Sequence, residues 1–177
     1  TTVTGRLQTV ETQVTATVEL PEGETMAAIS EYPEKWTMNQ LGGTGLAISA
    51  YEQGLKFAYT GNGVGRGAYI QGEASIRLWS MPKALRFSVN PGDATVKRLS
   101  LTFTNGAGKT NPAVNVTTDE MAKNTVSTFE LPLESVIDIN DVSNYPLTVN
   151  AIRLDLGKSD KGKAYELLIP EFKAVYN

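Results

Sequence analysis

Residues 81–110, MPKALRFSVNPGDATVKRLSLTFTNGAGKT, decide the fold class. Leu85, Phe87 and Val89 alternate with Ala84, Arg86 and Ser88. After the turn Asn90-Pro91-Gly92-Asp93, Leu99, Leu101 and Phe103 alternate with Arg98, Ser100 and Thr102. Successive side chains of a strand point to opposite faces, so this period of two sends one set into a core and the other to water or a ligand. Asn105-Gly106-Ala107-Gly108 then turns the chain again.

The same grammar extends outward from this unit. Downstream, residues 113–117 and 126–133 read as strands, and the polar connection 118–122 reads as a helical turn. Residues 133–144 read as a short helix or irregular excursion ended by Pro146, and Val149, Ile152, Leu154 and Leu156 are assigned inward. The last strand, within residues 165–176, is interrupted at Pro170. Upstream, residues 45–50 and 54–60 are short strands around Tyr51-Glu52-Gln53-Gly54, with Leu55, Phe57 and Tyr59 on one face. Residues 61–67, GNGVGRG, form a loop that either approaches a partner closely or is loose, and 68–78 supply one or two strands. Residues 26–44 read as a short apolar run followed by an irregular loop.

Ten or eleven strands without a convincing amphipathic helix predict an all-β chain, an antiparallel two-sheet β-sandwich or jelly roll. Val14, Ala16 and Val18 mark an N-terminal strand before Pro21-Glu22-Gly23-Glu24. That strand is either the first of the sandwich or the last of a preceding immunoglobulin-like domain. The expected division is 1–25 for this strand and linker and 26–177 for the main domain. The start at Thr1, in mid-pattern and without Met, reads as a piece of a longer protein.

The 177 residues, 41% of them hydrophobic, are ample for one real core. The chain has no His and no Cys. That removes Ser-His-Asp catalysis, cysteine nucleophiles and His- or Cys-held zinc. Paired-carboxylate glycosidase chemistry, Ser-Lys chemistry and all-oxygen calcium sites survive. A net charge of −3 with no Lys/Arg cluster argues against nucleic acid and against a polybasic membrane patch. No apolar run approaches the length of a membrane span. The glycine-rich loop lacks a Gly-Lys-Ser/Thr ending and no helix follows it, so a nucleotide site fails on context. Glu130 with Glu134, or Asp138 with Asp141, are the acidic couples to consider, and neither carries a catalytic signature.

The order of several short motifs resembles a family. Glu31, Tyr32 and Trp36 open it; Gly54-Leu55-Lys56-Phe57-Ala58-Tyr59, Pro82-Lys83-Ala84-Leu85-Arg86-Phe87-Ser88-Val89 and Gly108-Lys109-Thr110 follow. Ile152-Arg153-Leu154-Asp155 and Leu168-Ile169-Pro170-Glu171-Phe172 close it. The set is similar to the carbohydrate-binding-module-like (galactose-binding-like) jelly-roll domain attached to bacterial phosphodiester glycosidases and other extracellular polysaccharide-active proteins. The resemblance covers about 26–177. It implies a non-catalytic carbohydrate-binding or accessory module of an exported bacterial protein, outside the cell, on its surface or in the periplasm. The implied partners are a carbohydrate and neighbouring domains of the same polypeptide, with no nucleic acid and no membrane insertion. The alternative is a structural spacer or protein-interaction domain. Related sandwiches hold a structural calcium with paired acids where this chain has Pro170-Glu171. Proline offers no side-chain oxygen, which counts against that calcium without removing it; no other cofactor is expected.

Aromatic rings stack on the apolar face of a sugar while polar groups take its hydroxyls. The candidate contacts are therefore Trp79, Tyr69, Trp36 and Tyr51, with Arg86, Arg98, Arg153 and Asp155 as polar partners. For each aromatic the competing role is a core or edge plug; for the charged residues it is cross-strand ion pairing on a solvated face.

Overall fold

A computed structural model describes residues 23–25, 33–78 and 82–176. The expected strand at residues 13–18, and Glu31, Tyr32 and Trp79, lie outside the described residues.

Among the described residues, eleven strands form two antiparallel sheets. In chain order they are β1 (Gly23–Thr25), β2 (Trp36–Met38), β3 (Gly43–Tyr51), β4 (Gly54–Gly61), β5 (Tyr69–Leu78), β6 (Ala84–Asn90), β7 (Val96–Thr104), β8 (Val114–Thr117), β9 (Ser127–Pro132), β10 (Leu147–Leu156) and β11 (Ala164–Val175). One sheet runs β3-β4-β11-β6-β9, with β1 added on β11; the other runs β2-β5-β10-β7-β8. The two strands of the 81–110 unit are β6 and β7, and they lie in different sheets. The 91–95 connection therefore carries the chain across the sandwich rather than closing a hairpin, and Ala94 N donates to Pro91 O at 3.0 Å within it.

The alternation is borne out in the core. Leu85, Phe87 and Val89 from one sheet and Leu99, Leu101 and Phe103 from the other are at most 1% exposed, together with Val149, Ile152 and Leu154 of β10. Phe87 stacks on Phe172 of β11 with ring centroids 4.1 Å apart. Tyr59 stacks on Tyr165 at 5.4 Å, and burial, with Tyr165 beside it, pushes the Tyr59 hydroxyl up to about 12.

Three expectations are corrected. The 26–44 stretch contains a strand: β2 pairs with β5 at Trp36↔Gly72, after a single 3₁₀ turn over Pro33–Lys35. Residues 118–122 contain no helix; Met121 is buried and its N–H donates to Val96 O at 2.9 Å, which pins that connection to β7. The last strand is continuous through Pro170. Its register with β6 shifts between Leu168 and Glu171, where its other edge passes from β4 to β1, so the missing N–H falls at an irregularity of the ladder.

Candidate functional site

The outer face of the β2-β5-β10-β7-β8 sheet assembles four of the eight candidate residues. Register places Asp155 of β10 between Tyr69 of β5 and Arg98 of β7, and Arg153 between Gln71 and Ser100. Arg153 Nε donates to Asp155 Oδ1 at 2.7 Å, and Arg98 Nε to Asp155 Oδ2 at 2.6 Å, with Arg98 Nη2 also on Oδ2. The Arg153 guanidinium carbon lies 3.9 Å from the Tyr69 ring centroid, a diagonal cation–π contact between neighbouring strands. Burial alone would push the Asp155 carboxyl up; hydrogen bonds from Arg153 and Arg98 outweigh it and hold the group below the ordinary carboxylate range. Asp155 is therefore ionised at neutral pH and fixes two guanidinium groups in place.

A cleft of about 620 Å³ opens beside this cluster, at the end of the sheet where β5 and β7 begin and β8 and β10 end. Among the described residues its cations are Arg66, Lys97, Arg98, Arg153 and Lys158, and its one carboxylate is Asp155. Its remaining wall is Gly65, Gly67 and Ala68, with Thr118 and Leu156. Among the described residues no aromatic lines it.

The glycine-rich loop forms one wall, and its close partner is its own chain. A Cβ on Gly65 would stand 2.5 Å from Lys158 Cα, and one on Gly61 2.5 Å from the Asp160 carbonyl oxygen. Gly63 N donates to Ser159 Oγ at 3.3 Å, and Gly162 N to Gly61 O at 2.8 Å. The loop is thus seated on the 157–162 turn. Asn39 ties its far end to β5: Nδ2 donates to Gly67 O at 2.6 Å, and Oδ1 accepts from Tyr69 N at 3.0 Å and Gly42 N at 3.2 Å. Sequence reasoning missed Asn39, Arg66, Lys97 and Lys158. The available signal was slight: an Asn ahead of a glycine pair, and single cations in three separate segments.

The other candidates lie elsewhere. Trp36 is 5% exposed, with its ring 4.9 Å from Phe57 across the sandwich, so it is a core plug with no open face for a sugar. Arg86 lies on the opposite sheet, directly across from Glu130, and donates to its Oε2 through Nη2 at 2.9 Å. Lys56–Glu166 at 2.5 Å and Lys173–Glu171 decorate the same sheet, so this face is solvated and ion-paired. Tyr51 ends β3 on that sheet.

Three of the four residues in the acidic couples have local roles. Glu130 is taken by Arg86. Asp138 Oδ1 accepts from Asn140 N at 3.0 Å and Asp141 Oδ1 from Ser143 N at 2.9 Å, side-chain turns that shape the 137–144 connection. Among the described residues no group of three or more Asp or Glu is placed to hold a metal ion, and no helix is long and apolar enough to cross a membrane.

No family model and no curated protein matches the chain. Among solved structures, it is similar to a family 11 carbohydrate-binding module from Clostridium thermocellum in complex with a beta-1,3-1,4-mixed-linked tetrasaccharide, at 14% identity over 89% of this chain and 98% of that one, TM-score 0.49. It is also similar to the Clostridium thermocellum endo-1,4-beta-D-xylanase 10B family 22 module with its catalytic domain, at 12% identity over 86% of this chain and 28% of that one, TM-score 0.44. A third is the enzymatically active domain of bacteriophage CBA120 tailspike protein 4, at 14% identity over 85% of this chain and 20% of that one, TM-score 0.48. Identities this low carry no ligand and no residue role across to this chain.

Proposed function

We propose that this chain is a non-catalytic carbohydrate-binding module, an accessory domain of an exported bacterial protein, working outside the cell, on its surface or in the periplasm. The observation that carries the reading is the preorganised array Tyr69–Arg153–Asp155–Arg98 at the edge of an open cleft. Asp155 takes two N–H donors from Arg98 and one from Arg153, and a guanidinium has five. Donors remain on both arginines for the hydroxyl or acidic groups of a sugar. Gln71, partly exposed in the next row, adds an amide. Binding is favoured over hydrolysis because Asp155 is the one carboxylate that lines the cleft among the described residues, and it is held ionised between two arginines. Glycoside hydrolysis asks for a second carboxyl, about 5–9.5 Å away.

A single module of this kind binds its glycan with a Kd of about 10–1000 μM, roughly 4–7 kcal/mol. A glycan array on the purified chain, repeated with Arg153→Ala and Tyr69→Ala, tests the reading. Binding that both substitutions weaken supports it. Binding to no glycan favours the second reading, a structural spacer or protein-interaction domain beside a catalytic domain. The observation on that side is the lack of an aromatic wall in the cleft among the described residues. Turnover of a glycoside would overturn both.

A further inference from the structure

The cleft is much more basic than the chain that carries it. The protein has a net charge of −3, yet among the described residues the cleft gathers five cations around one carboxylate. Arg66, Lys97 and Lys158 are exposed, and among the described residues none of the three has a salt-bridge partner. The opposite sheet shows the contrast: its Lys56, Arg86 and Lys173 are each matched to a glutamate. Like charges converging in one concavity repel one another, and a concavity concentrates their field on whatever enters. Uncompensated cations gathered in this way mark a site for an anion.

We propose that the cleft binds an acidic polysaccharide, through the carboxylate or sulfate groups of successive sugars. This deepens the glycan-binding reading above and rests on it. Arg98 and Arg153, held by Asp155, present planar donor forks to a carboxylate or sulfate. Lys97, Lys158 and Arg66 stand around them as charges on flexible stems, suited to a second acidic group along a chain. The volume, about 620 Å³, lies within the usual range for a ligand site. A single nucleic-acid strand fits less well. Such grooves stack bases on exposed aromatic rings, whereas this cleft has no aromatic lining among the described residues and the neighbouring Tyr69 ring carries the Arg153 guanidinium.

The test is calorimetric titration and affinity electrophoresis of the full chain against two acidic classes, polygalacturonate and alginate (carboxylate) and dextran sulfate (sulfate). Neutral xylan, mixed-linkage glucan and single-stranded DNA are run beside them. The expected result is binding to at least one acidic class, which identifies the group recognised. That binding weakens about tenfold or more between roughly 50 and 300 mM salt. It is expected to fall about tenfold in Lys97→Gln/Lys158→Gln and to be retained in Lys97→Arg/Lys158→Arg, with unchanged thermal midpoints because both lysines are exposed. Binding of neutral glycans only, indifferent to the double substitution, overturns this proposal and leaves the carbohydrate reading standing. Binding of no glycan overturns both. Single-stranded DNA bound as tightly as the best polysaccharide overturns it in favour of an unselective polyanion surface.

Discussion

Gly72 lies directly beneath the indole of Trp36. Register pairs the two residues across β5 and β2, and a Cβ built on Gly72 would stand 2.5 Å from Trp36 Cδ2. A glycine in a central strand, normally a weakness, is here the floor on which a core aromatic ring rests. The ring in turn meets Phe57 of the other sheet, so one small residue sets the spacing at this end of the sandwich.

Gly72→Ala is therefore expected to destabilise the fold by about 1–3 kcal/mol, the usual cost of overpacking a filled core. Trp36→Ala is expected to cost about 3–5 kcal/mol through cavity formation. Urea denaturation of both variants checks this. A neutral Gly72→Ala would show that the indole tilts away freely, against the packing described.

Arg86 and Glu130 face each other on the ion-paired sheet, both about four-tenths exposed. Arg86→Ala is expected to cost about 0–1 kcal/mol, as for exposed cross-strand pairs. It is also expected to leave glycan affinity unchanged, since the residue is on the sheet opposite the cleft. A fall in affinity in Arg86→Ala, measured on the ligand found by the array, would move the binding face to the other sheet.

Asp155 makes stability depend on pH in a defined direction. A carboxyl whose folded value lies below its unfolded value binds fewer protons when folded, so stability rises with pH across that interval. The Asp155 contribution is complete above the ordinary carboxylate value of about 3.9 and disappears as the pH falls through the lower folded value. Asp155→Asn is expected to lose about 1–2 kcal/mol near neutral pH and progressively less toward pH 3. Urea midpoints of the two proteins at several pH values measure the difference directly. A gap that stays constant with pH would mean that the carboxylate charge is not what the two arginines recognise.

How far the chain could be read in advance depends on how each feature is encoded. The alternation at 85–89 and 99–103 was legible because each strand has one face in a continuous core, which forces the period of two. Two further features were not. β2 is three residues long, and Trp36-Thr37-Met38 is too short to show a period. The sheet change between β6 and β7 is invisible because Asn90-Pro91-Gly92-Asp93 has the composition of a hairpin turn as much as of a crossover. The cleft is harder still. Its cations come from the 65–68 loop, β7, β10 and the 157–162 turn, and no window of sequence holds more than two of them. Only the register Tyr69–Asp155–Arg98 brings them together. Trp36 shows the converse: an aromatic in a polar-looking stretch suggests a sugar contact, yet the glycine that receives it lies 36 positions away.

The glycine-rich loop offers a last test, because its Gly65 and a glycine outside it, Gly45, are glycines for different reasons. Gly65 has an extended or helical-side φ but no room: the Lys158 backbone fills the space a Cβ would need. Gly45, in β3, has φ +66 and open space around it. Gly45→Ala should therefore cost only the left-handed backbone penalty, about 1–2 kcal/mol, with affinity intact. Gly65→Ala must instead lift the loop from the 157–162 turn, which separates Arg66 from Lys158 and widens the cleft. It is expected to weaken binding of the ligand by about tenfold or more, for a stability loss of about 1–3 kcal/mol. Titration of both variants, alongside their urea midpoints, separates the two costs. Equal loss of affinity in Gly45→Ala and Gly65→Ala would show that binding follows global stability rather than the seat of this loop.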